Sequence, residues 1–276
     1  MSDTPASRNE PRESDLLLPF ESQNIPEDYR EYYRIKRNNF FASIQGIPEM
    51  WKYYILLDGI WLREFGDLKP LGDATQFVPL ILFFNAHAKM RISIELALSG
   101  CLAEARSILR DAVEFVAHAH RMRSDPKLQK VWLSKNEEGQ AFEDAFVRHK
   151  KEGLFRGLDE LHQIWGQLSE TGSHATLNSM CDRFAAVKSD DGGQEWGFNY
   201  CGVERRMWAL SLFSMLLTCF VMERIFYGDY EDRLRLDHIL VGMRGEFERF
   251  KEQVREHLKV RYEVKPPALK STIHVP

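Results

Sequence analysis

The stretch FVPLILFFNAHAKMRISIELALSGCLAEARSILRDAVEFVAHAHRMR, residues 77–123, decides the fold class. Its first half is apolar around the whole helical circumference, which predicts a buried core helix from about Ala74 to Ser99. Gly100 supplies the residue type that tolerates left-handed backbone and so marks a helix stop. From Leu102 to Arg123 the apolar residues Ala105, Ile108, Leu109, Ala112, Val113, Val116 and Ala119 recur at three and four. That spacing predicts an amphipathic helix ending ahead of Asp125-Pro126. Two long helices joined by so short a turn must fold back as an antiparallel hairpin.

Working outward, helical periodicity dominates. An amphipathic stretch from about Pro48 to Phe65 precedes breaks at Gly66-Asp67 and at Pro70 to Asp73. Residues 127–180 read as shorter helices punctuated by Gly139, Gly153, Gly157 and Gly172. Phe184 to Lys188 and Glu195 to Tyr200 flank SDDGGQ, rich in turn formers, which predicts a short β-hairpin insertion around 184–200. A further helix is expected over Val203 to Tyr227. The last is expected over Asp229 to Val260, with Asp229 as its N-cap. It spaces Leu236, Leu240, Met243, Phe247, Phe250 and Val254 as a seam, either against its own bundle or against a second copy in a homodimer through 236–254.

The first 28 residues are polar, acidic and proline-punctuated and read as a flexible arm, with Leu16 to Phe20 as a docking patch. They lack the basic start and apolar run of a secretory signal. Residues 29–261 are expected to form one helical-bundle domain, and 262–276, with Pro266-Pro267, an extended tail. The expected fold class is therefore all-α, an antiparallel helical bundle with a short β-hairpin insertion.

Composition narrows the function classes. Hydrophobic residues make up 44% of the 276 and charged residues 28%, which excludes collagenous and wholly disordered chains. A net charge of -4 offers no general basic field for nucleic acid or an acidic membrane. Phe77 to Leu98 would carry His87, Lys89, Arg91 and Glu95 into lipid, which is costly. Trp208 to Met222 is uncharged but runs only about 15 residues, short of the roughly 20 a span needs. Both are expected as core helices, with no membrane association. The four cysteines (Cys101, Cys181, Cys201, Cys219) form no CxxC pair, which favours a reducing, cytoplasmic setting and argues against a thiolate zinc site.

The informative polar residues lie on the hairpin. His87, Arg91 and Glu95 step by four along the apolar helix, and Arg106, Arg110, Glu114 and His118 do so along the next. Buried charges persist only when paired, so Arg91 with Glu114, or Arg110 with Glu95, is the expected cross-helix pairing. Such pairs either fix register or line a cleft for an anionic or polar ligand. A third piece, WGQLSETGSHATL at 165–177, brings Ser169, Glu170 and His174 to a helix end, where His174 either answers the helix dipole or joins the network.

The Glu-Ala-Arg-x3-Arg-x3-Glu pattern (Glu104, Ala105, Arg106, Arg110, Glu114), followed by Leu-Ser-Glu-x3-His (Leu168, Ser169, Glu170, His174), resembles uncharacterised bacterial helical-bundle families related in appearance to the HEPN superfamily. The resemblance covers about residues 75 to 230. It implies an all-helical bundle with Arg, Glu and His directed inward, and brings no established activity. HEPN ribonucleases carry Arg, four to six residues, then His. Arg156 with His162 and Arg233 with His238 match, although Gly157 and Leu234 stand where a polar residue is usual, and chance gives about two such matches in a chain of this composition.

Other motifs fail simple tests. His118 and His120 point about 200° apart on a helix and cannot chelate one metal. There is no HExxH, Walker A, GxGxxG or GxSxG motif, so no cofactor is expected. Tyr29-Arg30 through Lys36-Arg37 interleaves aromatics with basic residues as a single-strand binder does, but without a wider basic surface it reads as a solvated helix start. The expected function is interaction or ligand binding through Arg91, Glu95, Arg110, Glu114, His174 and His87. The alternative is a dimeric HEPN-like ribonuclease or nucleotide-binding effector using Arg233 and His238, with RNA as partner.

Overall fold

The computed structural model describes residues 25–72, 77–148, 150–173, 184–188, 194–198, 201, 205–235 and 238–262. In chain order the helices are α1 (Glu27–Gly46), α2 (Pro48–Gly66), α3 (Phe77–Leu98), α4 (Leu102–Ser124), α5 (Lys127–Leu133), α6 (Gly139–Phe142), α7 (Asp159–Leu168), α8 (Arg205–Tyr230) and α9 (His238–Tyr262). Wider π-helical turns continue α6 (Glu143–Val147) and α7 (Ser169–Ser173). Between α7 and α8, β1 (Phe184–Lys188) and β2 (Gln194–Phe198) pair antiparallel, with Ala186 opposite Trp196. The fold is all-α in class.

Local sequence explains the boundaries. Pro48 opens α2, where its missing N–H and fixed φ suit the first turn. Glu104 in the first turn of α4, with Arg121 and Arg123 in its last, complements the helix dipole. Gly100 ends α3 with φ +84°, and the chain reverses within Ser99–Cys101. Aromatic contacts then lock the bundle. Tyr53 stacks on Phe247 at 4.4 Å, joining α2 to α9, and Phe226 of α8 meets both Trp61 at 5.4 Å and Phe83 at 5.1 Å. All five rings are fully buried. Leu240, Phe247 and Val254 of the 236–254 seam are buried against their own chain, while Leu236 lies outside the described residues.

Three expectations change. Helix α3 is not covered all round: Phe77, Ile81, Phe84 and Ile92 stay exposed while Phe83, Ala86, Met90 and Ile94 are buried, so its circumferential apolarity overstated its burial. Asp229 does not cap the last helix. It sits in the final turn of α8, a helix of 26 residues. The chain then breaks because residues 233–235 hydrogen-bond elsewhere: the Lys69 N–H donates to the Arg233 carbonyl at 3.0 Å, the Arg235 N–H to the Asp67 carbonyl at 3.2 Å, and Leu234 bridges Leu68. Phe77–Leu98 and Arg205–Arg233 are each long and apolar enough to cross a bilayer, yet 50% and 67% of their most apolar windows lie inside the bundle.

The hairpin turn gives a direct test. A Cβ on Gly100 would sit 2.8 Å from the Cys201 carbonyl oxygen, backbone that cannot swing away, and φ there is left-handed. Gly100→Ala is expected to cost about 2–3 kcal/mol in urea melts. Gly166→Ala, mid-helix and with nothing within 4 Å of the new Cβ, is expected to gain about 0.5–1 kcal/mol. Equal effects at the two sites would refute the close approach.

Candidate functional site

The four-residue ladder on α4 organises the richest polar surface. Arg106 points toward α8, where its Nη2 donates to the Ser211 hydroxyl at 2.8 Å. One turn on, Arg110 donates from Nε to the Ser169 hydroxyl at 2.9 Å and from Nη2 to Glu114 Oε1 at 3.0 Å. Glu114 Oε1 also accepts from the Trp165 indole at 2.8 Å and from Lys150 at 3.2 Å. Both Arg110 and Lys150 lie over the Trp165 ring, at 5.3 and 4.2 Å from its centre. Ser169 completes the brace by donating to the Trp165 carbonyl at 2.8 Å.

Burial pushes the Glu114 carboxyl up, but Lys150, the indole N–H and Arg110 outweigh it and hold the group below its ordinary range. One turn further, His118 leaves the charged cluster for an apolar wall, with Phe146 at 4.9 Å and Phe142 at 6.1 Å. Burial, against the pull of Glu114 and with Lys135 and Lys150 adding to it, lowers the imidazole to about 4, so it is neutral. Its Nδ1 has no hydrogen-bond partner among the described residues.

Beside this brace, α4, α7 with its π-helical turn, and α8 enclose a cleft of about 250 Å³. Its polar lining is Arg106, Gln167, Thr171, Ser211, Ser214 and Thr218, and its apolar lining Ile164, Leu168, Leu210 and Met215. The arrangement offers one guanidinium, several hydroxyls and an amide over an apolar floor.

The two ladders do not interlock as expected. Arg91 pairs with Asp58 of α2 at 3.2 Å rather than with Glu114, and Arg110 stays with Glu114 on its own helix rather than with Glu95. Each step of four residues turns about 40° past a full revolution. The α3 ladder therefore drifts from His87, buried with Nε2 2.8 Å from Asp58, through the half-exposed Arg91 to the exposed Glu95. The described ion pair that does cross the hairpin joins Lys89 to Asp111 at 3.1 Å. His120 turns away from His118 to meet Asp229 at 2.9 Å. His174 lies outside the described residues. Arg233 closes a 3-10 turn and its Nε is 3.5 Å from Asp232; His238 opens α9, five residues on.

Sequence reasoning missed a second titratable cluster. Glu64 of α2 and Glu223 of α8 are both fully buried, and Arg244 of α9 reaches both, with 3.1 Å to Glu64 Oε1. The guanidinium lies 3.6 Å from the Tyr227 ring centre. Burial, and then the neighbouring Glu223, raise the Glu64 carboxyl far above its ordinary range; Glu223 is also raised by burial, with Arg244 and Glu64 working against it. With one guanidinium beside two buried carboxyls, one of the pair is expected to keep its proton at neutral pH. The available signal was Glu223, the one acid between Arg206 and Asp229 in α8; Glu64 shares α2 with Glu49 and Asp58 and did not stand out. Among the described residues, no group of three His, Cys, Asp or Glu side chains is arranged to hold a metal ion.

No family model, curated protein or solved structure matches this chain.

The two clusters have opposite pH signatures. A neutral buried His118 contributes stability that is complete above its ordinary 6.5 and lost as pH falls toward about 4. A protonated Glu64 contributes stability that is complete below its ordinary 4.5 and lost as pH rises above it. Above pH 6.5 only the second slope acts, at up to about 1.4 kcal/mol per pH unit for one proton. Stability measured by urea melts is expected to fall from pH 6.5 to 8.5, and Glu64→Gln, which keeps a donor toward Glu223, to remove most of that fall. An unchanged slope in the variant would sink the retained-proton assignment.

Proposed function

We propose that this is a ligand-binding helical bundle, working in the cytoplasm, whose site is the cleft between α4, α7 and α8. The observation that carries the reading is the convergence of Arg106, Ser211, Ser214, Thr218, Gln167 and Thr171 around a cleft with an apolar floor. Binding pockets pair apolar surface with a few fixed polar groups in this way. The Arg110–Ser169–Glu114–Trp165–Lys150 brace, one turn along α4, holds the π-helical turn that forms one wall. Such turns recur at functional sites because their extra residue displaces side chains from the regular helical stack.

A volume of about 250 Å³ suits a small molecule. One guanidinium beside hydroxyl donors suits a single carboxylate or phosphate attached to a short apolar body. Arg110 and Glu114 act in this reading as positioning groups, and Arg106 as the ligand contact. The paired strands β1 and β2 are read as a short insertion into the bundle.

The test is a thermal-shift panel of short-chain organic acids and phosphate monoesters at millimolar concentration. At least one member is expected to raise the melting temperature of the wild-type chain, and a ligand at a hundred times its dissociation constant stabilises by about 2.7 kcal/mol. Arg106→Gln is expected to abolish that shift while melting within a few degrees of wild type. A shift that survives Arg106→Gln, or no shift from any acid in the panel, would overturn the assignment.

A further inference from the structure

The sulfurs of Cys101 and Cys201 lie 3.2 Å apart, although the residues are a hundred positions apart in the chain. Both thiols are buried. A disulfide needs about 2.05 Å between sulfurs, so closure asks for a shift of about 1.1 Å. Their surroundings hold them together. Cys101 ends the hairpin turn, directly ahead of the first residue of α4. Gly100 packs on the Cys201 carbonyl, and Asn39 of α1 donates to that same carbonyl and to the carbonyl of Ser99.

Access runs through α1. That helix has no buried residue, yet it docks on the turn and the chain that carry the thiols, with Asn39 and Ser43 on backbone carbonyls and Tyr32 against the two cysteines. Ser43 donates to the Leu98 carbonyl at 2.7 Å. Burial, followed by the two neighbouring cysteines, pushes the Tyr32 phenol up to about 12, so a protonated hydroxyl faces the sulfurs. A helix docked with so little buried surface opens at low cost and admits small reagents. Cys219, wholly buried in α8 with its thiol pushed far up by burial, has no cysteine beside it among the described residues.

We propose that Cys101 and Cys201 are a thiol–disulfide exchange site whose co-substrate is a low-molecular-weight disulfide. One cysteine thiolate attacks the small disulfide; its sulfur–sulfur bond breaks, a mixed disulfide forms and one small thiol leaves. The second cysteine thiolate attacks the protein-side sulfur of that mixed disulfide and expels the second small thiol. Two cysteine protons and two electrons pass to the reagent, and the bond formed ties the chain before α8 to the turn between α3 and α4. This pairing stands apart from the ligand cleft and survives the loss of that reading.

The experiment uses the full chain with excess oxidised glutathione. Reactive thiols counted after denaturation are expected to fall from four to two. Proteolysis without reduction, read by mass spectrometry, is expected to yield a peptide joining Cys101 to Cys201. Cys219→Ser is expected to lose two thiols in the same way. Cys201→Ser is expected to stop at a glutathione adduct on Cys101. Retention of all four thiols by the wild type, or a cross-link that joins other cysteines or two chains, would overturn the proposal without reference to any variant.

Discussion

The arrangement of the bundle depends on one close approach: the Gly100 backbone against the Cys201 carbonyl, with room for nothing larger than a hydrogen. Two helices of more than twenty residues, joined by three, must run antiparallel, but that alone leaves their partners undetermined. The contact at Gly100 brings in the chain that leads to α8, and Asn39 brings in α1. The Trp208 indole then donates to the Ala97 carbonyl at 2.9 Å, so α8 starts beside the end of α3 and runs back along the hairpin. Residues 210–218 are thereby laid opposite Arg106, which is where the cleft opens.

At a separate level, α2, α8 and α9 are joined by charge as well as by their aromatic contacts. A fully buried carboxylate without a partner is prohibitively costly, and two side by side are worse. Glu64 and Glu223 persist because Arg244 supplies one positive charge and a retained proton removes one negative charge. The cluster is then close to neutral. Replacing all three by apolar groups of similar volume would leave the stacked Tyr53–Phe247 and Trp61–Phe226 contacts to carry the packing, since buried ion clusters often add little net stability. Their effect is instead on register: only one alignment of α9 puts Arg244 against both acids.

The hairpin, its turn and the helical class were legible because each rests on local pattern: apolar spacing at three and four, a glycine stop, short connections. What failed was non-local. The break after Tyr230 follows from hydrogen bonds to residues 67–69, which no window around Asp229 contains. The exposed stripe from Phe77 to Ile92 reads as core because apolarity reports what a residue prefers, while coverage depends on how many helices reach that side. For the polar residues, Arg110 and Glu114 were singled out, as was the 165–177 segment that supplies Trp165 and Ser169, yet Lys150 comes from a segment whose spacing carried no charge pattern. Asp58, the partner of both His87 and Arg91, was invisible for the same reason.

The fate of the two ladders shows why one helix builds a site and the other does not. Both step by four, and both drift around their helix axis by about 40° per step. On α3 the drift carries the ladder from the interface with α2 out into solvent: His87 and Arg91 share Asp58, and Glu95 lies beyond its reach. On α4 the same drift sweeps along the groove occupied by the irregular segment 142–173, and each step finds a different partner there: Ser169 for Arg110, Trp165 and Lys150 for Glu114, Phe142 and Phe146 for His118. The π-helical turn at Ser169–Ser173 admits the Arg110 guanidinium to the Ser169 hydroxyl, while that hydroxyl donates to the Trp165 carbonyl one turn back. The polar face of α4 and the distortion opposite it therefore sustain each other, and the cleft lies at their edge.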